Sequence, residues 1–277
     1  DGTKLAISQY TSGHGLIYTY EYSENVYPAG WVQYGSAIDI TKSQSSPGFS
    51  IAMSGNGLRL VVGIPADSTI VSGDVRVFNY TNTTWQEHTQ DTSLHELTGG
   101  QVLEVGQLYG YSVDISKDGT HIIVGSPIVD TSYRGHVSVF ELSGDAYILK
   151  GSPLLRDSSE PEFGRIVSIS SDGNYFVTNS GASYTGSQKV VYYKYLNNTW
   201  VEHGSGITSV TSPVISTKIS GDGTKILTLM DSRNVNIYSP TTTSISGGWG
   251  QLGSDINLNK QSINLPPVET LDPVQPG

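Results

Sequence analysis

The sequence predicts an all-β fold, a β-propeller of four-stranded antiparallel blades, with about five blades in the chain. Three observations support this prediction. Charged residues make up only 14% of the 277 residues, whereas Gly occurs 32 times and Tyr 17 times, a composition rich in turn and strand formers. The phrase Ser-x-Asp-Gly recurs between apolar segments along the chain. No segment shows a convincing helical period.

The recurring phrase sets the period of the repeat. Complete copies lie at 116–119, 170–173 and 220–223, a variant lies at 54–57, and the chain opens on Asp1-Gly2. The Asp or Asn of the phrase stands at positions 1, 56, 118, 172 and 222, so the spacings are 55, 62, 54 and 50 residues. Spacings of this length are typical of propeller blades.

Each repeat contains four strand signals, which are clearest in the third copy at 111–115, 121–124, 136–140 and 147–151. Between the first two, Asp118-Gly119 supplies a tight turn, since Asp bonds to its own backbone and Gly adopts a positive φ. Because the inner strands line the axis and the flat faces of blades pack on one another, seven apolar residues of the strands are expected to be buried. These residues are Ile115, Val124, Val139, Ile169, Val177, Ile219 and Ile226.

The repeats divide a propeller at 1–265 into blades at 1–48, 49–109, 110–163, 164–213 and 214–265, followed by a proline-rich linker or tail at 266–277. The first copy begins at its second strand. Residues 257–265 are predicted to form a strand that fills the vacant position and closes the ring. The alternative is that the chain is a fragment of a larger chain or assembly with further blades upstream.

Composition and motifs exclude several functional classes. The net charge of −10 and the isoelectric point near 4.9 oppose binding to nucleic acid. No apolar run is long enough for a membrane-spanning helix, and the lack of Cys excludes a disulfide scaffold and a thiol nucleophile. The six His residues form no metal-binding pair, and no Gly-x-Ser-x-Gly motif occurs. We therefore expect no catalytic residue, no metal ligand and no cofactor.

An aromatic residue opens the fourth strand of every repeat: Trp31, Trp85, Tyr147, Trp200 and Trp249. An equivalent position in each blade indicates structural anchors between blades. Exposed aromatic faces also stack on sugar rings, so a lectin-like propeller stays an alternative.

Two groups of surface residues are predicted. N-glycosylation triplets start at Asn79, Asn82 and Asn197, in the hairpin between the third and fourth strands. The loops between the second and third strands carry side chains of the kind enriched in protein contacts. They are predicted to form an interaction face that includes Tyr10, Asp67, Asp130, Tyr133, Arg134 and Tyr184.

Short motifs also recur around the strands. The third repeat carries Tyr109-Gly110 and Val124-Gly125-Ser126-Pro127, the second carries Val62-Gly63-Ile64-Pro65, and the fourth starts with Phe163-Gly164. These motifs resemble the FG-GAP type of repeat found in the propeller of integrin α subunits. The resemblance implies an extracellular, adhesion-type propeller without enzymatic activity.

The sequence departs from this family at the calcium loop. Blades of the family that bind calcium place oxygen ligands at alternate positions before the Asp-Gly pair and a further carboxylate after it. Here Ile122 stands at the last ligand position, and Ala52, Ser168 and Lys218 stand where the third repeat has Asp114. We therefore expect the Asp-Gly pairs to form turns and not to bind calcium.

Together these features predict a non-enzymatic β-propeller with a structural, adhesion or protein-interaction role, secreted or displayed on a cell surface or, alternatively, on a virion. The expected partner is a protein or a surface glycan, and no membrane insertion is expected. The first alternative is a lectin-like, carbohydrate-binding propeller. The second is a propeller-type hydrolase, which requires convergent carboxylates in a pocket on the axis.

Overall fold

Antiparallel sheets follow one another along the chain, and each is built from one repeat. The computed structural model describes residues 2–11, 14–25, 29–41, 46, 49–66, 73–89, 108–128, 135–156, 160–181, 188–209, 214–230, 234–241 and 247–257. Within these residues all regular structure is β-strand. They include no helix with the length and hydropathy needed to cross a membrane.

The five sheets are the blades of the fold. Blade 1 contains β1 (Lys4–Thr11), β2 (His14–Ser23), β3 (Gly30–Gln33) and β4 (Ile38–Thr41). Blade 2 contains β5 (Ser50–Met53), β6 (Arg59–Ile64), β7 (Asp74–Thr81) and β8 (Thr84–Glu87). Blade 3 contains β9 (Ser112–Ile115), β10 (His121–Ser126), β11 (His136–Ser143), β12 (Ala146–Leu149) and β13 (Leu154–Leu155). Blade 4 contains β14 (Val167–Ile169), β15 (Tyr175–Ser180), β16 (Gln188–Leu196), β17 (Thr199–Glu202) and β18 (Ile207–Ser209). Blade 5 contains β19 (Val214–Ile219), β20 (Ile226–Met230), β21 (Asn234–Pro240), β22 (Trp249–Gln251) and β23 (Ile256–Asn257).

Strands pair in chain order within each blade, and all the pairs are antiparallel. The outer strand is interrupted, so that in blade 3 both β12 and β13 pair with β11. In blade 1, β1 occupies the position of a second strand and pairs with β2. Asn257 lies in the outer strand of blade 5, opposite Asn234. It therefore does not start a separate closing strand, and residues 258–265 of that prediction lie outside the described residues.

The Ser-x-Asp-Gly phrase forms the turn between the inner strand and the second strand. In blade 3, Asp118 Oδ1 accepts hydrogen bonds from Ser116 Oγ at 2.6 Å and from the Thr120 N–H at 2.9 Å, and Gly119 has a φ of 75°. In blade 5, hydrogen bonds from Ser220 and Thr224 lower the pKa of Asp222 from 3.8 to about 2. The Asp carboxylates thus accept hydrogen bonds from the turn itself, which is the turn chemistry that the sequence predicts.

Apolar side chains fill the four junctions between successive blades. Complete burial of such a side chain contributes about 1.5–3 kcal/mol to the free energy of unfolding. Ile219 is half-buried. The other predicted core residues are buried, which confirms the predicted register of the blades: Ile115, Val124, Val139, Ile169, Val177 and Ile226.

Aromatic residues of the outer strands contact the preceding blade. Trp200 Nε1 donates a hydrogen bond to the backbone carbonyl of Lys150 in blade 3 at 2.7 Å. Trp85 Nε1 donates to Thr19 Oγ1 of blade 1 at 2.9 Å.

Two other outer-strand aromatics make different contacts with the blade before them. The hydroxyl of Tyr147 accepts a hydrogen bond from Arg59 Nη1 of blade 2 at 2.9 Å. The ring centroid of Trp249 lies 4.8 Å from that of Tyr192 in blade 4. Each of these aromatics thus packs against the blade that precedes it in the sequence.

Trp31 does not serve as a contact of this kind. Its side chain is 47% exposed and packs edge-on against Tyr22 of the same blade, with the ring centroids 5.7 Å apart. The anchor role predicted for Trp31 needs a preceding blade, and the described residues place none beside it. Within the described residues, Trp31 therefore lies on a face of blade 1 that no other blade covers.

Trp200 and Trp31 form a matched pair for testing the anchor contact. Trp200→Ala is expected to lower the free energy of unfolding by about 3–5 kcal/mol, because it empties a buried site and removes the bond to Lys150. Trp31→Ala is expected to change it by about 0.5 kcal/mol or less, since the side chain is half exposed. Urea denaturation followed by circular dichroism measures both. Equal losses in the two variants would contradict the assignment.

The buried ring of His136 is expected to make stability depend on pH. Burial lowers the pKa of His136 from 6.5 to about 4, and its Nδ1 atom has no hydrogen-bond partner. The unfolded chain therefore binds this proton at a higher pH than the folded protein does. The contribution of the neutral His136 ring to the free energy of unfolding is therefore complete above pH 6.5 and is lost as the pH falls towards 4.

Denaturation between pH 6.5 and 4 measures this effect. The wild type is expected to lose about 3 kcal/mol of unfolding free energy through His136. The His136→Gln variant is expected to lose correspondingly less over the same range, whereas His121 and His203, whose pKa values burial also lowers, contribute equally in both proteins. A variant with the same pH slope as the wild type would refute the explanation.

Candidate active site

A cavity of about 550 Å³ lies where the inner strands of blades 2, 3, 4 and 5 meet. Strands β5, β9, β14 and β19 are neighbours in this order. Residues that precede or open each strand line the cavity, among them Phe49, Tyr111, Arg165 and Ile215, together with Lys218 near the end of β19. Because equivalent strands of four blades surround it, the cavity lies on the axis around which the blades are arranged.

Four lining residues occupy one position of the repeat, five residues before the Ser of the Ser-x-Asp-Gly phrase. The ring centroids of Phe49 and Tyr111 are 4.7 Å apart, and the Arg165 guanidinium carbon lies 5.6 Å from the Tyr111 ring centroid. The fourth residue is Ile215. The wall is thus aromatic on two blades, cationic on the third and aliphatic on the fourth.

Asp114 joins three blades beside the cavity. Its Oδ2 atom accepts hydrogen bonds from Ser168 Oγ at 2.9 Å and from the Ile169 N–H at 3.2 Å, both in blade 4. The same oxygen lies 3.2 Å from Lys218 Nζ of blade 5. The Asp114 side chain is 16% exposed, whereas that of Lys218 is 60% exposed. Asp114 therefore holds the Lys218 ammonium group at the rim of the cavity.

Glu162 contacts the second cation of the cavity. Its Oε2 atom lies 3.2 Å from Nη1 of Arg165, and both side chains are mostly buried. Partly exposed ion pairs of this kind add little stability. They do restrict where the cation lies. Each cation that lines the cavity is thus paired with a carboxylate supplied by the fold.

Hydroxyl groups tie the surrounding strands together. Ser50 Oγ accepts a hydrogen bond from the Val113 N–H at 3.0 Å, and Ser112 Oγ donates one to the Gly164 carbonyl at 2.8 Å. The cavity thus offers two cationic side chains and an aromatic surface in one concave space, and the carboxylates of Asp114 and Glu162 hold the cations from beside it. It can bind a small anionic molecule.

The predicted interaction face is only partly described. Tyr10 is 43% exposed, and its hydroxyl accepts a hydrogen bond from Ser46 Oγ at 2.9 Å. The other predicted members lie outside the described residues: Asp67, Asp130, Tyr133, Arg134 and Tyr184.

The predicted glycosylation residues differ in their surroundings. Asn82 and Asn197 are exposed in hairpin turns, each with a φ of 49°. The amide of Asn79 is engaged, since its Oδ1 accepts a hydrogen bond from Arg59 Nε at 2.7 Å and its Nδ2 lies 3.0 Å from His88 Nδ1. Glycosylation stays a prediction.

Sequence reasoning did not identify Arg165, Lys218, Asp114 and Glu162 as site residues. Three of them stand on or just before inner strands, at positions where the repeats differ from one another. In the sequence, the repeat position that holds Asp114 and Lys218 enters only the argument against calcium binding. The available signal was a charged residue at a repeat position that is uncharged in other blades, on the strand nearest the axis.

Comparisons with known proteins identify the fold. No family model matches the sequence, and no curated protein matches it. A structure from Bacteroides fragilis, provisionally named a 6-phosphogluconolactonase, is 15% identical with a TM-score of 0.58, over 93% of this chain and 68% of that one. A second, from Bacteroides uniformis and with the same provisional name, is 13% identical with a TM-score of 0.58, over 93% and 69%. A protein from Lactobacillus plantarum is 15% identical with a TM-score of 0.57, over 92% and 68%. The likeness confirms the predicted β-propeller.

These comparisons correct the predicted function. The prediction of a non-enzymatic adhesion module is wrong, because two of the structures that share this fold carry the name of a hydrolase. The prediction depended on the lack of a contiguous catalytic motif. A site on a propeller axis is assembled from several blades, so it leaves no such motif in the sequence. The resemblance to FG-GAP repeats and the surface location stay predictions.

Proposed function

We propose that the axial cavity is the active site of a propeller-type hydrolase that opens the cyclic ester of a phosphorylated sugar. The observation that carries the proposal is that Arg165 and Lys218 line one cavity, although the whole chain has a net charge of −10. The volume of about 550 Å³ suits a small-molecule substrate. The provisional name of two structures with this fold, 6-phosphogluconolactonase, supports the same substrate class.

Arg165 is the residue that we assign to the phosphate. Its planar guanidinium matches the oxygens of a phosphate group, with which Arg forms paired hydrogen bonds. The neighbouring rings of Tyr111 and Phe49 give an apolar surface on which the carbon skeleton of a sugar packs. Binding of a phosphorylated sugar would therefore use two adjoining parts of the wall.

Lys218 is the residue that we assign to ester hydrolysis, and Asp114 holds its ammonium group in place. Water adds to the carbonyl carbon of the lactone and loses a proton. The Lys218 ammonium stabilises the negative charge that develops on the carbonyl oxygen. The bond between that carbon and the ring oxygen then breaks, and the proton passes to the ring oxygen. The product is the open hydroxy acid.

Hydrolysis of 6-phosphogluconolactone by the purified protein tests the proposal. Lys218→Ala is expected to lower kcat about 100-fold, the effect of losing one group that stabilises an oxyanion. Arg165→Ala is expected to raise KM about 10-fold or more, since it removes a charged hydrogen-bond donor to the phosphate. Lys225→Ala, in the exposed turn of blade 5, is the control and is expected to leave both constants unchanged.

Two results would overturn the proposal. One is a wild-type rate no higher than the spontaneous hydrolysis of the lactone. The other is an equal loss of activity in Lys225→Ala and Lys218→Ala, which would mean that activity depends on the net charge of the protein and not on the cavity.

A further inference from the structure

The same turn precedes the inner strand in three blades. Its closing hydrogen bond runs from the Phe49 N–H to the Ser46 carbonyl in blade 2 and from the Tyr111 N–H to the Leu108 carbonyl in blade 3, at 3.2 and 3.0 Å. In blade 4 it runs from the Arg165 N–H to the Glu162 carbonyl at 3.2 Å. The same hydrogen bond therefore closes the turn in all three blades.

Glu162 adopts a backbone conformation that this turn does not require. Its φ is 57°, in the left-handed region, whereas Ser46 and Leu108 do not have a positive φ. The other described non-glycine residues with positive φ lie in two hairpin turns: Asn82, Thr83, Asn197 and Asn198. A residue with a Cβ is disfavoured in this conformation, and such strain persists where the surrounding structure or the function needs it.

The strained residue supplies the carboxylate that pairs with Arg165. Glu162 Oε2 lies 3.2 Å from Arg165 Nη1, and the Arg165 guanidinium also lies over the Tyr111 ring at 5.6 Å. An ion pair on one side and an aromatic face on the other fix the plane of the guanidinium. Because Arg recognises phosphate through the geometry of a planar fork, the orientation of this plane decides the affinity for a phosphate.

We infer that Glu162 is a positioning residue that orients Arg165 to bind the phosphate of the substrate. This inference rests on the proposed function for the identity of the ligand. It adds that the left-handed backbone conformation of Glu162 serves ligand binding and not the stability of the turn. A residue with only a structural role would be expected to stabilise the fold.

Substitutions at Glu162 separate these roles. Glu162→Gly removes the carboxylate but suits the left-handed backbone, so its melting temperature is expected to equal or exceed that of the wild type. Glu162→Gln keeps the side-chain length and removes the charge. In both variants the affinity for 6-phosphogluconate, measured by calorimetry, is expected to fall about 10-fold, the loss of one charge-assisted interaction. Glu162→Asp is expected to restore part of it.

Glu160→Gln is the matched control. It removes a neighbouring ion pair, in which Glu160 Oε2 lies 3.2 Å from Arg156 Nε, in the same segment of blade 4. Its affinity for 6-phosphogluconate is expected to equal that of the wild type. For the phosphorylated lactone, both Glu162 variants that lack the charge are expected to raise KM about 10-fold and to leave kcat within about twofold.

The outcomes distinguish this inference from the proposed function. A wild type that binds 6-phosphogluconate in a Glu162-dependent way, but hydrolyses no lactone, would support the inference and refute the hydrolase. Lactone hydrolysis with an unchanged KM in Glu162→Gly and Glu162→Gln would refute the inference alone. A wild type that does not bind 6-phosphogluconate, or a Glu162→Gly protein that melts earlier and binds normally, would also refute it.

Discussion

The packing of each blade against the face of the preceding blade is the interaction on which the arrangement of blades depends. Trp200 lies over Gly151 and Trp85 over Gly35, and a Cβ on either glycine would come within 3.1 or 3.0 Å of the indole Cδ1 atom. Both glycines also have a positive φ, of 74° and 70°. Glycine thus meets a steric and a backbone requirement at once. At these two junctions the contact sets the spacing of the blades, and apolar packing at all four junctions brings the inner strands together around the cavity.

The repeats combine a constant framework with a variable lining. Ser116 and Ser170 make the same bonds to Asp118 and Asp172 in successive turns. By contrast, the position that holds Phe49 in one blade holds Arg165 in another. Residues that face the axis can therefore change without weakening the turns or the junctions. A propeller gains function by substitution at the few positions where equivalent strands converge, which is how folds commonly carry unrelated sites.

The fold could be predicted from the sequence because its determinants are local and repeated. Asp118-Gly119 makes its turn from its own atoms, and a period near 55 residues follows from copies of that turn. The site could not be predicted in the same way. Arg165 and Lys218 belong to different blades, and only the packing of β14 beside β19 brings them to one cavity. The left-handed backbone of Glu162 is equally hidden, since Leu108 occupies the same place in blade 3 with an ordinary backbone.

The junctions between blades have a consequence for local stability. Ile7 and Trp31 of blade 1 and Leu227 and Ile256 of blade 5 are each at least 39% exposed, and a Cβ on Gly253 would meet nothing within 4 Å. Among the described residues, blades 2, 3 and 4 each have a packed junction on both sides, whereas blades 1 and 5 each have one. Local opening of a blade is harder where both of its faces are packed, so within this part of the chain the amide hydrogens of blade 3 are expected to exchange more slowly than those of a blade with one junction.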